Sequence, residues 1–508
     1  MAGSTVSGGA RTAVRPGRRR RRPEHRRAAG LPGTIGVTAL GALAPGAGFL
    51  WARRRALGLT VLGTTLGLAL LGSWFVGWDL RAATDFFFDP ARLQVAAGML
   101  VVTLALWALV VVTTYLMVRP RERSRAQSIL GGTVVGALCL AMGAPVLVGV
   151  RYAFVQADLV STVFEDNRSA TAPTAATEAD PWAGRDRVNL LLLGGDGSVH
   201  RDGVRTDSMI LASIDTGSGR TVMFSLPRNM MNAQFPPDSP LAAVYPDGYT
   251  GEGDPAAYML NAVYGQVPAL HPGVLGASDN EGADALKQAV GGSLGVDVDY
   301  YVLVNLGGFR QLVDAMGGVT VNINTPVAIG GNTDLGVPPD DYLEPGPDRR
   351  LDGFEALWFA RGRYGSDDYA RMERQRCVIA AIVDEADPWT LLRRYQELAA
   401  TGKEIVRTDI PADLMPSFVE LALRVKDASV RSVVFRSSDE LFPGDPDFAW
   451  LRSAVRKTLQ PPRDRPPRTA EAGPTPAPSP APTGSPEPTP AGSGQAVDAA
   501  DACAYQPE

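Results

Sequence analysis

Histidine and cysteine are scarce in this chain of 508 residues, which contains three of each. So few histidines leave little material for histidine-based catalysis, and no Cys-x-x-Cys pair or Cys/His cluster of the zinc-binding kind occurs. Cys139 lies in an apolar run and is expected to be buried. Cys377 and Cys503 lie far downstream, and their spacing leaves two interpretations open, a disulfide or two separate thiols.

Basic residues are concentrated near the N-terminus and are outnumbered by acidic residues elsewhere. Residues 1–150 contain 18 Lys/Arg and 5 Asp/Glu, a net charge of +13, whereas the whole chain carries −5, so residues 151–508 carry −18. The acidic part lacks the broad basic face that binds nucleic acid. A basic, apolar N-terminal part followed by an acidic, polar remainder instead indicates an anchor on the cytoplasmic side and an exterior domain.

The N-terminal third is predicted to be a membrane anchor. Residues 1–30 form a basic cytoplasmic arm with nine arginines between positions 11 and 27, and residues 31–150 form the membrane region. Three apolar stretches, 56–77, 93–118 and 129–150, are long enough to span a bilayer. The stretch 31–51 is rich in Gly and Pro and fits a re-entrant segment, although a full span is left open.

The arginine clusters determine the expected orientation. Arg53, Arg54 and Arg55 form one cluster, and four arginines between positions 119 and 125 form another. Both should remain in the cytoplasm, so three crossings from an inside N-terminus place the chain after residue 150 outside.

Composition divides the exterior part into three regions. Residues 151–184 are predicted to be a linker rich in Ala, Thr and acidic residues, and residues 185–460 a folded domain. Residues 461–508 form a tail dominated by Pro, Ser, Thr and Ala, which predicts disorder. The last residues around Cys503 regain apolar character and could dock back onto the domain.

The exterior domain alternates apolar runs with helical patterns. The predicted strands are 188–193, 208–214, 221–226, 300–304, 319–323 and 432–435. The predicted helices are 283–294, 308–316, 354–361, 368–386 and parts of 389–400 and 412–425. This mixture predicts one α/β domain, a central mixed sheet flanked by helices, preceded by an α-helical transmembrane region.

Two stretches concentrate charged side chains suited to bind an anion. The first follows the ends of predicted strands and contains Asp196, Arg205, Asp207 and Arg228, at the edge where open α/β sheets bind ligands. The second contains five arginines within sixteen residues, and on its predicted helix three polar side chains share one face; its members are Arg361, Arg363, Arg371, Arg374, Gln375 and Arg376.

Clustered arginines repel one another unless anions lie between them, and their planar forks match phosphate oxygens. The pattern therefore favours a polyphosphate ligand, and Asp196 and Asp207 are suitable oxygen ligands for Mg²⁺. The alternative interpretation is a set of surface salt bridges without a ligand.

An ordered series of motifs over residues 189–382 resembles the LytR–CpsA–Psr family of cell-wall glycopolymer ligases. The matching positions are Gly194 and Asp196; Arg205 and Asp207; Ser225, Pro227 and Arg228; Asn261 to Tyr264; Gly307, Gly308 and Phe309; Val313 to Val319; Leu351, Asp352 and Gly353; Ala356 and Leu357; Arg361 and Arg363; and Asp368 to Arg371 with Arg374 and Gln375. Such a series is far more specific than any single short motif.

The resemblance implies a domain that holds a polyprenyl chain in a core tunnel, with the pyrophosphate at its mouth. It implies transfer of a glycopolymer, as its sugar phosphate, from that carrier to peptidoglycan. Asp196 and Asp207 would hold Mg²⁺. The residues implied in catalysis are Arg205, Asp207, Arg228, Arg361 and Arg363, and those implied in substrate binding are Asp368, Arg371, Arg374 and Gln375.

Two alternative functions remain open at this point. One is a hydrolase that cleaves the same lipid-linked glycan with water, and the other is a non-catalytic sensor or regulator of the cell wall. The expected location is the cytoplasmic membrane of a Gram-positive-type bacterium, with the catalytic domain outside. The glycopolymer, the general base and the oligomeric state are not predicted.

Overall fold

A computed structural model describes eight stretches of the chain, which are residues 26–77, 80–164, 168–195, 206–333, 335–385, 406–438, 441–460 and 494–506. Contacts divide the chain into two compact units. One unit comprises Met1–Trp78 and Ala97–Val150, and the other comprises Asp79–Ala96 and Arg151–Glu508.

The N-terminal helices follow the predicted apolar stretches. They are α1 (Leu31–Leu43), α2 (Ala47–Trp51), α3 (Arg55–Gly77), α4 (Leu80–Phe87), α5 (Pro90–Val118) and α6 (Arg125–Val163). The predicted re-entrant segment is broken into α1 and α2, with Gly46 between them in the left-handed conformation.

Two helices in the described part of the chain, α5 and α6, are long and apolar enough to cross a membrane. Helix α3 has 23 residues, but its apolar stretch of described residues, Arg55–Leu70, is shorter than a span. The expected three crossings therefore stay a prediction.

A mixed seven-stranded sheet forms the centre of the second unit. Its strands lie in the order β11-β10-β3-β2-β1-β4-β9. They are β1 (Arg187–Gly195), β2 (Thr206–Asp215), β3 (Thr221–Ser225), β4 (Tyr300–Asn305), β9 (Val406–Thr408), β10 (Val430–Val434) and β11 (Val497–Asp498). Strand β1 pairs antiparallel with β2 and parallel with β4. The predicted α/β fold with a mixed central sheet is thus confirmed.

Strand β1 lies between β2 and β4 inside the sheet, and both of its faces are buried. Leu191 and Leu193 belong to the core on one face, whereas Val188 and Leu190 belong to the core on the other. Successive side chains point to opposite faces, so a run of leucines without alternation is what a doubly covered strand requires.

Helices cover both faces of this sheet. They are α7 (Pro240–Val244), α8 (Val263–Leu270), α9 (Glu281–Leu294), α10 (Leu306–Met316), α11 (Gly353–Arg361), α12 (Asp368–Glu385), α13 (Met415–Lys426), α14 (Phe448–Leu459) and α15 (Ala499–Ala502). The helix predicted within 389–400 lies outside the described residues.

Two small sheets accompany helices α11 and α12. Strand β5 (Val319–Ile323) pairs with β8 (Gly346–Leu351), and β6 (Val327–Asn332) pairs with β7 (Val337–Leu343). A third apolar core lies between these strands and α10, α11 and α12. Only β5 of these four strands was expected from the sequence.

The segment predicted to be a linker is ordered where it is described. Helix α6 continues to Val163, and the chain from Arg168 then packs along the domain. Ser169 and Thr171 donate hydrogen bonds to the buried carboxylate of Asp284.

The C-terminal residues dock back onto the domain, as the sequence suggested. Strand β11 pairs with β10 at the sheet edge, and Cys377 of α12 forms a disulfide with Cys503. The side-chain amides of Asn322 and Asn324 donate to the carbonyl oxygens of Cys503 and Ala504. Of the two interpretations of these cysteines, the structure thus has the disulfide. The predicted disordered stretch up to residue 493 lies outside the described residues.

Candidate functional site

A cavity of about 920 Å³ lies between the central sheet and helices α10, α11 and α12. Most of its wall is apolar, and the apolar lining residues are Leu192, Leu193, Ile210, Val302, Val304, Leu306, Phe309, Leu312, Leu357, Val378, Ile379 and Ile382. Helix α12 contributes its polar first half and its apolar second half to the same wall, because Arg371, Gln375, Val378 and Ile382 share one helix face. The cavity therefore suits a ligand with a long apolar part and a polar end.

Charged side chains gather where the lining turns polar. We call this region the charged mouth, and its residues are Asp207, Arg228, Arg361, Arg363, Asp367, Asp368 and Arg371. Four arginines against three aspartates give a net charge of +1 among these residues. The excess of guanidinium groups favours an anion at this end of the cavity.

Asp207 and Arg228 are brought together by adjacent strands. Asp207 is the second residue of β2, and Arg228 follows the end of the neighbouring strand β3. Arg228 Nη1 donates to Asp207 Oδ1 at 2.6 Å, and Arg363 Nη2 lies 3.3 Å from Asp207 Oδ2. The structure thus brings together Asp207, Arg228 and Arg363, which the sequence assigned to one site, while their functional roles stay a prediction.

Helix α12 supplies a second charge pair one turn inside its N-terminus. Arg371 is only 2% exposed, and its Nη2 donates to Asp368 Oδ1 at 2.7 Å. Its Nη1 donates to the backbone oxygen of Asp207 at 2.9 Å, and Arg228 Nε lies 3.6 Å from Asp368 Oδ1. Arg371 therefore ties the helix to strand β2 and fixes the two halves of the mouth against each other.

Two residues of the mouth have shifted protonation equilibria. Burial alone would raise the pKa of Asp207, but the charge and hydrogen bond of Arg228, with the charges of Arg363 and Arg371, hold this pKa below its usual range. Burial lowers the pKa of Arg371, and the carboxylate of Asp368 opposes that effect. Asp207 is thus ionised at neutral pH and compensates the neighbouring arginines.

Gln375 and Arg374 are neighbours on α12, but only Gln375 lines the cavity. Gln375 lines the cavity, and its side-chain amide donates to the carbonyl oxygen of Ala360 at 3.2 Å. Arg374 does not belong to the lining, because its guanidinium donates to the carbonyl oxygens of Phe359 and Gly362. Burial and the nearby charge of Arg371 lower the pKa of Arg374 to about 10, so it keeps its charge at neutral pH.

The position of Arg374 changes what it is expected to do. Its hydrogen bonds hold the C-terminal end of α11, the segment that carries Arg361 and Arg363. Direct contact between Arg374 and a substrate stays a prediction of the resemblance, whereas support of the arginine-bearing segment is what the structure describes.

Asp196 and Arg205 lie outside the described residues, so their predicted roles remain untested by geometry. Among the residues that are described, no group of three or more metal-ligating side chains occurs. Asp207 already faces two arginines, but Asp368 Oδ2 is buried and has no hydrogen-bond partner among the residues that the structure describes. Because Mg²⁺ usually takes only one or two protein carboxylates and keeps several waters, the carboxylates of the mouth fit such an ion.

Several lining residues were not expected from the sequence. Gly330 and Gly331 of β6 form part of the wall with their backbone, and both have positive φ angles of 75° and 77°. Two consecutive glycines in the sequence could have indicated a place where the backbone comes close to a ligand. Trp358 and Tyr364 also line the cavity; Tyr364 directly follows Arg363 in the sequence, and Trp358 lies three residues before Arg361.

The fold and the site define an α/β protein with an apolar cavity that ends in a charged mouth. Residues 152–458 match the model of the LytR_cpsA_psr family. This match covers more than half of the chain, and the chain belongs to that family.

Curated relatives and solved structures are similar to the same region. A polyisoprenyl-teichoic acid–peptidoglycan teichoic acid transferase, TagU of Oceanobacillus iheyensis, is 31% identical over 241 residues, which are 46% of this chain and 62% of the relative. Biofilm regulatory protein A of Streptococcus mutans is 26% identical over 296 residues, 56% of this chain and 63% of that protein. In each case the match spans less than two thirds of the relative.

Among solved structures, Bacillus subtilis TagV is 23% identical with a TM-score of 0.38, and the match covers 54% of this chain and 96% of that chain.

Proposed function

We propose that this protein is a Mg²⁺-dependent phosphotransferase. It transfers a glycopolymer from a polyprenyl-pyrophosphate carrier to peptidoglycan at the outer face of the cytoplasmic membrane. The observation that carries this proposal is the apolar cavity that ends in the charged mouth.

The cavity matches the two chemical parts of such a donor. Transfer of a hydrocarbon chain from water to the apolar wall is favourable. The mouth offers guanidinium groups that can bind the phosphate at the end of that chain. A soluble sugar phosphate would leave the apolar wall unused. The combination therefore favours a lipid-linked phosphate over a soluble one.

The charged mouth supplies what phosphoryl transfer chiefly requires, namely positioning and compensation of negative charge. In the proposed reaction, an acceptor hydroxyl oxygen of peptidoglycan attacks the phosphorus atom that bears the glycan. The bond from that phosphorus to the bridging oxygen breaks, polyprenyl monophosphate leaves, and the hydroxyl proton passes to a base or to solvent. Arg228, Arg361, Arg363 and Arg371 would bind the pyrophosphate oxygens.

Mg²⁺ held by Asp196 and Asp207 would supply further positive charge beside the phosphate oxygens. Of this pair, Asp207 is the residue that the structure describes, and its low pKa means that it is a carboxylate at neutral pH. Asp368, which contacts the same Arg228, would offer Oδ2 as an additional buried oxygen.

Three observations support an exterior location for the catalytic domain. The Cys377–Cys503 disulfide is typical of an oxidising compartment outside the cytoplasm. The charge difference between residues 1–150 and 151–508 has the sign expected of a cytoplasmic anchor and an exterior domain. Three crossings also place outside the loop between the apolar stretches 56–77 and 93–118, and the segment Asp79–Ala96, which contains most of this loop, belongs to the same compact unit as the domain.

The relative named a teichoic acid transferase supports a wall glycopolymer as the transferred group. The relative named a biofilm regulatory protein carries no reaction in its name, so a regulatory role is one outcome that the test must separate.

The test uses full-length protein in nanodiscs, a synthetic polyprenyl-pyrophosphate oligosaccharide and peptidoglycan fragments, with Mg²⁺ or EDTA. Mass spectrometry should detect a Mg²⁺-dependent sugar-phosphate conjugate together with polyprenyl monophosphate. Arg228→Ala should abolish the conjugate. Arg424→Ala, at a surface arginine whose Nη1 donates to the Thr216 carbonyl oxygen, should not.

The other outcomes distinguish the alternatives. Release of a free polymer phosphate without a conjugate, where a TagU-type relative conjugates under the same conditions, would indicate a hydrolase. Binding of the donor without turnover would indicate a sensor.

A further inference from the structure

Arg361 differs from the other arginines of the charged mouth in how it is held. Arg228 and Arg363 pair with Asp207, and Arg371 pairs with Asp368, at nitrogen–oxygen distances of 2.6, 3.3 and 2.7 Å. Arg361 is exposed at the end of α11 and forms no ion pair with any carboxylate in the described ranges. Among the described residues, its orientation therefore depends on a different kind of contact.

That contact is the indole ring of Trp358, one turn earlier on the same helix. The guanidinium carbon of Arg361 lies 4.9 Å from the centroid of this ring. Residues three apart on a helix are neighbours, and the cation is attracted to the ring face. The interaction restricts a long side chain that otherwise samples many rotamers.

Further aromatic and guanidinium contacts follow along the helix away from the mouth. Phe354 packs against Trp358 with ring centroids 6.3 Å apart and an interplanar angle of 68°, and the guanidinium carbon of Arg310 lies 5.3 Å from the Phe354 ring. Trp358 is thus held from its far side, although Phe354 is 40% exposed.

The contact with Trp358 leaves the hydrogen-bond donors of Arg361 unused. A guanidinium group has five N–H donors, and its attraction to an aromatic ring is electrostatic and does not use them as hydrogen bonds. The carboxylate pairs of Arg228, Arg363 and Arg371 already occupy part of their donors. Arg361 consequently presents the largest unspent donor set of the four to an incoming anion.

We propose that Trp358 is a positioning residue that orients Arg361 toward the phosphate of the ligand. The proposal rests on the function proposed above and adds a specific role for a residue that the motifs did not include. Trp358 also lines the cavity beside Leu357. The indole ring and the guanidinium group of Arg361 therefore line the same cavity.

The test separates orientation of Arg361 from a simple wall contact. Binding of polyprenyl pyrophosphate and of polyprenol, which lacks the phosphates, is measured on full-length protein in nanodiscs. Trp358→Leu should weaken binding of the pyrophosphate about fivefold, the scale of one cation–π contact, and leave polyprenol binding unchanged. Trp358→Phe keeps a ring beside Arg361 and should restore binding to within about twofold.

A double-mutant cycle tests whether Trp358 acts through Arg361. In an Arg361→Ala background, Trp358→Leu should have no further effect on pyrophosphate binding. Phe442→Leu, at a 63% exposed aromatic residue outside the cavity lining, is the matched control and should bind both ligands as the wild type does. Thermal unfolding of each variant shows whether the domain has kept its fold.

Three results would overturn the proposal. They are an equal loss of polyprenol and pyrophosphate binding in Trp358→Leu, independent effects of Trp358 and Arg361 in the cycle, and unchanged pyrophosphate binding in Trp358→Leu. A different result, a wild-type protein without preference for the pyrophosphate over polyprenol, would overturn the proposed function itself.

Discussion

The Cys377–Cys503 disulfide leads to a prediction that joins the fold to the cellular location. Cys503→Ser removes a covalent link between helix α12 and the C-terminal segment, which are 126 residues apart in sequence. Helix α12 carries Arg371 and Gln375, so the same link stabilises one side of the cavity.

The magnitude follows from the size of the closed loop. The chain-entropy relation gives about 5 kcal/mol at 25 °C for a loop of about 127 residues, and measured losses usually reach about 2–4 kcal/mol. For a domain of about 280 residues, such a loss lowers Tm by roughly 3–7 °C. The entropy of the unfolded chain dominates this effect, so the native contacts of α12 should change little.

The assay combines thiol titration with thermal unfolding. It uses full-length protein from a bacterial host that inserts the chain into its membrane. Denatured, unreduced wild-type protein should show one free thiol, that of Cys139, and three after reduction. Cys139→Ser is the matched control and should leave Tm unchanged. Three free thiols before reduction, or an identical Tm for Cys503→Ser and wild type, would refute the disulfide and weaken the argument for an exterior domain.

Three further predictions concern the core, the charged mouth and the cavity wall. Lys287→Met should lower the free energy of unfolding by about 3–5 kcal/mol, because the buried Asp409 carboxylate, 2.6 Å from Lys287 Nζ, loses its cation. Denaturant unfolding measures this loss, and a value below about 1 kcal/mol would contradict the prediction. Because the folded pKa of Asp207 is depressed, its stabilisation is complete above the unfolded pKa of about 4 and is lost as the pH falls through the folded value. The Tm difference between wild type and Asp207→Asn should therefore be constant from about pH 5 to 8 and shrink below about pH 4, and a difference that grows on acidification would oppose this account. Ile379→Trp should fill part of the cavity and weaken polyprenyl pyrophosphate binding at least about tenfold, whereas Ile379→Leu should not; equal binding by both variants would place the lipid elsewhere.

Much of the central sheet could be predicted because its inner strands are buried on both faces. The predicted strand 188–193 corresponds to β1 at Arg187–Gly195, where continuous burial requires a continuous apolar run. The convergence of Asp207 and Arg228 was also predictable, since polar residues at the ends of neighbouring strands meet at one edge of the sheet.

The hairpin of β6 and β7 could not be predicted from its composition. Residues Val337, Pro338, Pro339, Asp340 and Asp341 have the composition of a loop, yet they form most of β7. Proline is tolerated in this two-stranded sheet because each strand has a free edge. The local pattern contains no information on the partner strand.

Helix boundaries and side-chain directions were predicted less well than the elements themselves. Hydropathy falls after residue 150, but α6 continues to Val163, because composition marks the end of an apolar stretch and not the end of a helix. The spacing of Arg374 and Arg371 indicated one shared face, whereas hydrogen bonds to backbone carbonyls turn Arg374 away from the cavity.

The most direct test of the central claim is to locate the bound lipid. A polyprenyl pyrophosphate with a photoactivatable group in its chain is bound to full-length protein in nanodiscs, irradiated and analysed by peptide mass spectrometry. The label should be found on cavity-lining residues such as Val302, Leu312 and Ile379, and unlabelled polyprenyl pyrophosphate should compete for it. Labelling confined to helices α3, α5 and α6, with none on the cavity lining, would contradict the assignment of this cavity as the carrier-lipid site.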